Sequence, residues 1–372
     1  MKIYDPTSKT EYTLDIKLPK GSGKGLIGVP LFVDIHTHVR YPQFEGYDTL
    51  SRACLKGGFG ICTIQPNTRP RLERASIIQI HKEASKGYPT QFLFTSSLFG
   101  EETNMPIAYS TDGIPYTTNM LWHALNTHTP KLLMDHSQLY DVEGMFYQGG
   151  PALPYRPMSG EAIAVARTVM LGVEAGWKRF HIQHVSSPHT IDMIQHLKRY
   201  AIITTEVTPH HLLIPTEYID NVNMKINPPL IPEKDRKRLV NMVKEGLIDT
   251  LATDHAPHPP KPEDWKEAPY GSSHIEVAFS AFLTALEDLH LVVDMLTVKP
   301  ASLLGISLPS MPDNIVVIDP NMSFTVDSSK FVSLGKNTAF EGMKLKGKVV
   351  AVKIGGKWLY YDDEFIWEGQ DG

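Results

Sequence analysis

The sequence predicts an α/β fold, a closed (β/α)8 TIM barrel with a small β-domain built from both termini. Three observations predict it. Strand-like apolar runs alternate with helical periodicity over most of the chain. No Gly-rich phosphate loop follows the first strand, as a doubly wound open sheet that binds nucleotides would have. Polar side chains of ligand type recur at the ends of the strand candidates, the rim where such a barrel keeps its active site.

Eight segments read as barrel strands: 28–38, 61–66, 91–96, 107–111, 131–136, 180–185, 202–208 and 250–254. Helical spacing of apolar residues fills 161–175, 189–200, 235–245 and 275–289. The third and fourth strands are joined only by 97–106, too short for an ordinary crossover helix, which makes this the irregular joint of the barrel. Residues 1–27 and 312–372 differ in texture, with short strands such as 12–18 and 348–354 broken by Gly and Pro. They are expected to form the small β-domain, leaving 28–311 as the catalytic barrel.

Composition narrows the classes of function. With 372 residues, 42% hydrophobic and 21% charged, the chain has the make-up of a globular protein with a large core. A net charge of −5 and the lack of any long Lys/Arg block argue against nucleic acid, so attraction for an anionic small molecule must be local. Two cysteines, Cys54 and Cys62, cannot make a disulfide framework, and neither a leader-like opening nor a bilayer-length apolar run is read, so a cytoplasmic address is expected.

The chemistry starts at Val33-Asp34-Ile35-His36-Thr37-His38-Val39-Arg40. Alternation along a strand points His36 and His38 the same way, able to share one metal ion, and Arg40 offers a bidentate clamp for a carboxylate. The other strand ends carry Asn67, Asp112, His136, His184 and Asp254. Singly, His136 and His184 read as ordinary satisfied histidines and Asp112 in Ser110-Thr111-Asp112-Gly113 as a turn former. Together on one rim, four histidines and two aspartates suit one or two Zn2+ ions, two being preferred with one shared ligand, and a hydrolase is expected. In Thr253-Asp254-His255-Ala256-Pro257-His258, Asp254 is the candidate general base and acid, and His258 on the loop above is a candidate donor to substrate.

These segments resemble dihydroorotase, of the amidohydrolase superfamily. The resemblance rests on Asp34 to Arg40, Gly57-Gly58-Phe59, Pro66-Asn67-Thr68-Arg69-Pro70, Glu206-Val207-Thr208-Pro209-His210-His211-Leu212, Lys225-Ile226-Asn227-Pro228-Pro229-Leu230 and Thr253 to His258, in order, with Lys299-Pro300-Ala301 beyond. It implies that His36 and His38 hold one metal, His136 and His184 the other, and that Asp254 binds the first while acting as base. It further implies that Arg40, Asn67 and His258 fix a substrate carboxylate, and that Asn227 and the Tyr270-Gly271 backbone contact a pyrimidine ring. Many relatives bridge their metals with a carboxylated lysine on the fourth strand; 107–113 holds no lysine, and Asp112 stands there. One branch uses an aspartate in an Asp-Asp-Gly segment, whose first Asp is Thr111 here. Tyr41-Pro42-Gln43 replaces a common Glu-Pro-Gly, and Gln65 a usual methionine.

The activity so implied is the reversible interconversion of carbamoyl aspartate and dihydroorotate in pyrimidine biosynthesis. Two alternatives stand beside it. One is a hydantoinase- or allantoinase-type cyclic amidase, which would not need the Arg40 clamp. The other is a non-catalytic barrel that docks to aspartate transcarbamoylase, a partner that in some relatives orders active-site loops; 258–267, rich in Pro and charge and poor in apolar anchors, is the candidate loop. A homo-oligomer is compatible with the sequence, which offers no partner other than these and a small-molecule substrate.

Overall fold

The computed structural model describes residues 1–367; the end of the expected β-domain, 368–372, lies outside the described residues. Eight parallel strands follow one another in chain order around a sheet: Phe32–Thr37 (β1), Phe59–Ile64 (β2), Gln91–Ser97 (β3), Ala108–Ser110 (β4), Leu132–Asp135 (β5), Arg179–Ile182 (β6), Ile202–Val207 (β7) and Thr250–Leu251 (β8). The chain beyond β8 returns to β1. Asp254 N donates to His36 O and His38 N to His255 O, each at 2.9 Å, and Thr37 bridges His255 in parallel.

A carboxylate fastens this seam. Asp34 is fully buried and accepts from Thr253 N (3.0 Å), Thr253 Oγ1 (2.5 Å), Thr37 Oγ1 (2.5 Å) and His36 N (3.2 Å). Four donors on two oxygens satisfy a charge that could not otherwise stay inside a barrel wall. Val33, Ile35, Ile61, Met134 and Ala252 fill the lower interior with Leu303 and Leu304, which come from the helix Val298–Leu304.

Helices pack outside. Ser159–Glu174, Pro188–Leu197 and Glu233–Lys244 lie within three residues of the pattern read from sequence. The fourth expected helix, 275–289, breaks in two: a 3-10 turn leads into Ala278–Leu286, Glu287 turns left-handed at φ 55°, and Asp288 caps Leu289–Leu296 by accepting from Leu291 N. Tyr47–Gly57, Ala75–Ala84 and Thr118–Thr127 are helices that the apolar pattern did not disclose. Between β3 and β4 no helix forms, as the length of the joint required.

A second sheet draws on both termini, in the order Glu364–Phe365, Lys357–Tyr361, Lys344–Ile354, Ile315–Thr325, Ile27–Val29, Lys2–Asp5, Thr10–Thr13. Two expected strands change here. Segment 28–38 splits at Pro30 and Leu31, so Ile27–Val29 serves this sheet and β1 the barrel. Segment 12–18 is strand only to Thr13; beyond it Leu14, Ile16 and Leu18 still alternate in burial but find no neighbouring strand. Cys54 and Cys62 are free thiols, buried with their sulfurs 3.3 Å apart.

Asp34→Ala should orphan the buried seam donors and cost ~3 kcal/mol of stability. Urea denaturation monitored by circular dichroism checks this, and a loss below about 1 kcal/mol would contradict it.

Candidate active site

The strand ends converge because the backbone bends there. Between Asp34 and Thr37 the β1–β2 register shifts, so Ile35 lies in the interior cluster while the next residue, His36, lines the mouth. The shift does not undo the pairing expected of His36 and His38, whose ligand atoms lie close enough to share one ion. The two rings meet, with centroids 5.1 Å apart. His184 and Asp254 take positive φ, 33° and 52°, a strained conformation for residues other than glycine that is characteristic of functional sites.

Two groups of donors face each other across the mouth. His38 Nε2 lies 2.9 Å and His36 Nε2 3.4 Å from Asp254 Oδ1, and the three residues present ligand atoms close enough for one ion. On the other side His136 Nδ1 lies 2.8 Å from His184 Nε2. Asp112 stands between, Oδ2 3.8 Å from His38 Nε2 and Oδ1 3.6 Å from His136 Nδ1. Asp112 Oδ2 is buried with no hydrogen-bond partner among the described residues. Two ring nitrogens turned toward each other, beside an unpartnered carboxylate oxygen, form a donor set that fits divalent cations.

Behind the donors lies a residue to which sequence reasoning gave no role. Glu206, at the end of β7 and fully buried, accepts from His36 Nδ1 at 2.5 Å and His181 Nε2 at 3.0 Å, and its Oε1 also takes His184 N at 3.0 Å. It fixes the His36 tautomer so that Nε2 points into the mouth. Burial alone would lower the imidazole, but the charges of Glu206 and Asp254 outweigh it and carry His36 up to about 10. Burial would likewise raise Glu206, yet His36 and His181 draw it down to about 2. The site thus holds excess negative charge that favours cations. A glutamate inside a run of β-branched strand residues was the signal available for it.

The mouth opens into a cavity of about 120 Å³ lined by the two donor groups together with Arg40, Asn67, Asn227, Ala256, Tyr270 and Gly271. Asn67 Oδ1 accepts from His38 Nδ1 at 2.7 Å and lies 3.4 Å from Arg40 Nη1. Arg40 donates Nε to Pro257 O at 3.1 Å and makes no ion pair among the described residues. Burial lowers it, against the pull of Asp112, Asp254 and Glu45. His258 sits at the edge rather than in the wall. Its Nε2 lies 2.9 Å from Tyr270 O, and burial with the nearby Arg40 and Lys261 charges lowers it to about 3, so it is neutral and already donating. Asn227 lies between Arg156 Nη2 (2.7 Å) and His136 Nε2 (3.1 Å).

The loop 258–267, expected to be poorly anchored, is pinned. Lys225 Nζ donates to Trp265 O and Ala268 O, Lys261 Nζ donates to Gly271 O, and Trp265 packs its ring edge-on against Phe146. Beside the Trp265 ring its anchors are lysine-to-carbonyl bonds, which a count of apolar residues does not see.

The barrel shares its fold with L-hydantoinase (dihydropyrimidinase) from Arthrobacter aurescens, with a TM-score of 0.81 over 93% of this chain and 88% of that one at 21% identity. No protein-family model matches the chain. Among curated proteins it is 47% identical over 98% of both chains to a Thermotoga maritima protein provisionally named dihydroorotase. It is 33% identical to the dihydroorotase of Caldanaerobacter subterraneus subsp. tengcongensis over 91% of this chain and 87% of that one. The chain belongs to the dihydroorotase family, whose members are metal-dependent hydrolases.

Glu206→Gln should weaken metal retention about ten- to a hundredfold by releasing His36. Elemental analysis after dialysis against graded chelator measures this; retention equal to wild type would show that Glu206 is only a packing group.

Proposed function

We propose that this chain catalyses the reversible interconversion of N-carbamoyl-L-aspartate and (S)-dihydroorotate, a step of pyrimidine biosynthesis in the cytoplasm, with zinc as its metal. Arg40 carries this reading: a guanidinium without an ion pair among the described residues, lining the same cavity as the metal donors. A half-buried cation left in this state is costly unless its partner is an anion that comes and goes. The ring carboxylate of dihydroorotate is such an anion. The size of the cavity suits one small ring, which agrees with a small-molecule substrate and not with a polymer.

Two ions would find their ligands here, one in His36, His38 and Asp254 and one in His136 and His184, and Asp112 would be within reach of both groups. When bound, such ions supply Lewis acidity toward the ring carbonyl and make water acidic enough to react near neutral pH. The chain does the rest. Arg40, with Asn67 beside it, holds the carboxylate and sets the ring's orientation. Asn227 and the Tyr270-Gly271 backbone face the ring edge, and His258 steadies the Arg40 side through Tyr270. In hydrolysis Asp254 takes a proton from the attacking water and delivers it to the leaving ring nitrogen; in closure the same carboxylate carries the proton back. Closure consumes one carboxylate charge and one proton, so lower pH favours the ring.

A cyclic amidase for neutral rings would share the metals but gain nothing from Arg40. A non-catalytic barrel would not need to keep the full set of donors. The pinned 258–267 loop supports a chain that acts without aspartate transcarbamoylase to order it.

Arg40→Met should raise KM for dihydroorotate at least a hundredfold, about 3 kcal/mol of lost binding, and change KM for a hydantoin little. Equal effects on both substrates, measured by steady-state kinetics, would defeat the assignment. Asp112→Ala should lower the zinc content from two ions per chain toward one and reduce kcat more than a hundredfold. Unchanged zinc by elemental analysis would mean that another residue holds the second ion.

A further inference from the structure

The walls of the cavity that face away from the metal donors come from two loops, Ala256 to His258 and Tyr270 to Gly271, and one side chain outside the barrel joins them. Asn337, 3% exposed, accepts from His258 N through Oδ1 at 2.9 Å. Its Nδ2 donates to Ala256 O at 3.1 Å and to Gly271 O at 3.2 Å. Its backbone carbonyl takes Ser273 N at 3.1 Å. The loops also meet directly, through His258 Nε2 on Tyr270 O at 2.9 Å and Ala256 N on Ser272 O at 2.9 Å, and Asn337 adds three bonds across them from outside.

The loops touch where Asn337 holds them. Gly271 has φ +119°, and a Cβ there would meet the Cβ of Ala256 at 2.7 Å. The segment carrying Asn337 is itself held by buried carboxylates of the barrel. Glu276 Oε1 accepts from Val332 N and Ser333 N, and Glu45 accepts from Ser333 Oγ and Leu334 N. Gly335 leaves no room either, since a Cβ would lie 2.7 Å from Pro257. Lys261 gives Gly271 O a second donor at 2.6 Å. The Arg40 side of the cavity hangs from the first loop, through Pro257 O, and the ring side from the second.

We infer that Asn337 is a positioning residue for substrate recognition: by tying Ala256 and His258 to Gly271, it sets the distance between the carboxylate clamp and the ring-contacting backbone. This rests on the dihydroorotate reading above. It assigns the segment 332–337, which follows the barrel in the chain, a part in specificity that none of the strand-end residues has.

The test is steady-state kinetics on the zinc-loaded full chain. Asn337→Ala should raise KM for dihydroorotate about tenfold with kcat within about threefold of wild type, and with zinc content and melting temperature retained. Asn337→Asp keeps the oxygen that takes His258 N but loses both Nδ2 donations, so it should raise KM as well and serves if the alanine variant does not fold. Lys261→Met removes the other donor to Gly271 and should raise KM less. Unchanged KM in both Asn337 variants overturns the inference, as does a fall in kcat that follows lost zinc or lowered melting temperature at constant KM. Loss of folding in both variants also counts against it. A wild-type chain inactive on dihydroorotate would instead refute the functional reading itself.

Discussion

Everything at the mouth depends on the closure of the barrel between its first and last strands. His38 and Asp254 are 216 residues apart in the chain, yet they meet at 2.9 Å because the backbone after β8 hydrogen-bonds along β1. Asp34 decides the register of that seam. Its carboxylate takes the backbone N–H and the hydroxyl of Thr253 on one side and Thr37 and His36 on the other, and a slip of one residue would leave a buried charge with fewer donors. Asp254, at positive φ, is fixed in the same seam by its own N–H bond to His36 O.

The seam brings charges of one sign together, and the rest of the site is arranged around that fact. Asp112, Asp254 and Glu206 are all buried around the histidines, an arrangement that repels itself unless cations join it. In the same small cavity stands Arg40, a cation without an ion pair among the described residues. A molecule with an electrophilic carbonyl at one end and a carboxylate at the other suits both poles. The overall charge of −5 gives such an anion no general attraction, so recognition rests on this local polarity.

Much of this was legible in the sequence, for reasons that differ by residue. The barrel strands are buried on both faces and therefore read as continuous apolar runs, and their polar ends stood out against them. His36, His38, Asp112, His136, His184 and Asp254 were found in this way, and the structure gathers them. What was hidden has physical causes. Helix Tyr47–Gly57 begins after Gly46 without a side-chain cap, and its start carried no signal. The break at Glu287 needs a left-handed residue that is not glycine. Glu206 heads the segment Glu206 to Leu212 that carries part of the resemblance, but its work is done through the far side of His36, a partner 170 residues away that the segment does not disclose. Asn337 acts on backbone carbonyls 66 and 81 residues away, and Lys261 on one ten residues along its own loop, neither of which periodicity reveals.

The most direct test of the central claim is anomalous diffraction at the zinc edge from crystals soaked with carbamoyl aspartate. The account predicts one peak among His36, His38 and Asp254, a second beside His136 and His184, and the ligand's α-carboxylate against Arg40. Zinc bound elsewhere, or that carboxylate turned away from Arg40, would contradict it.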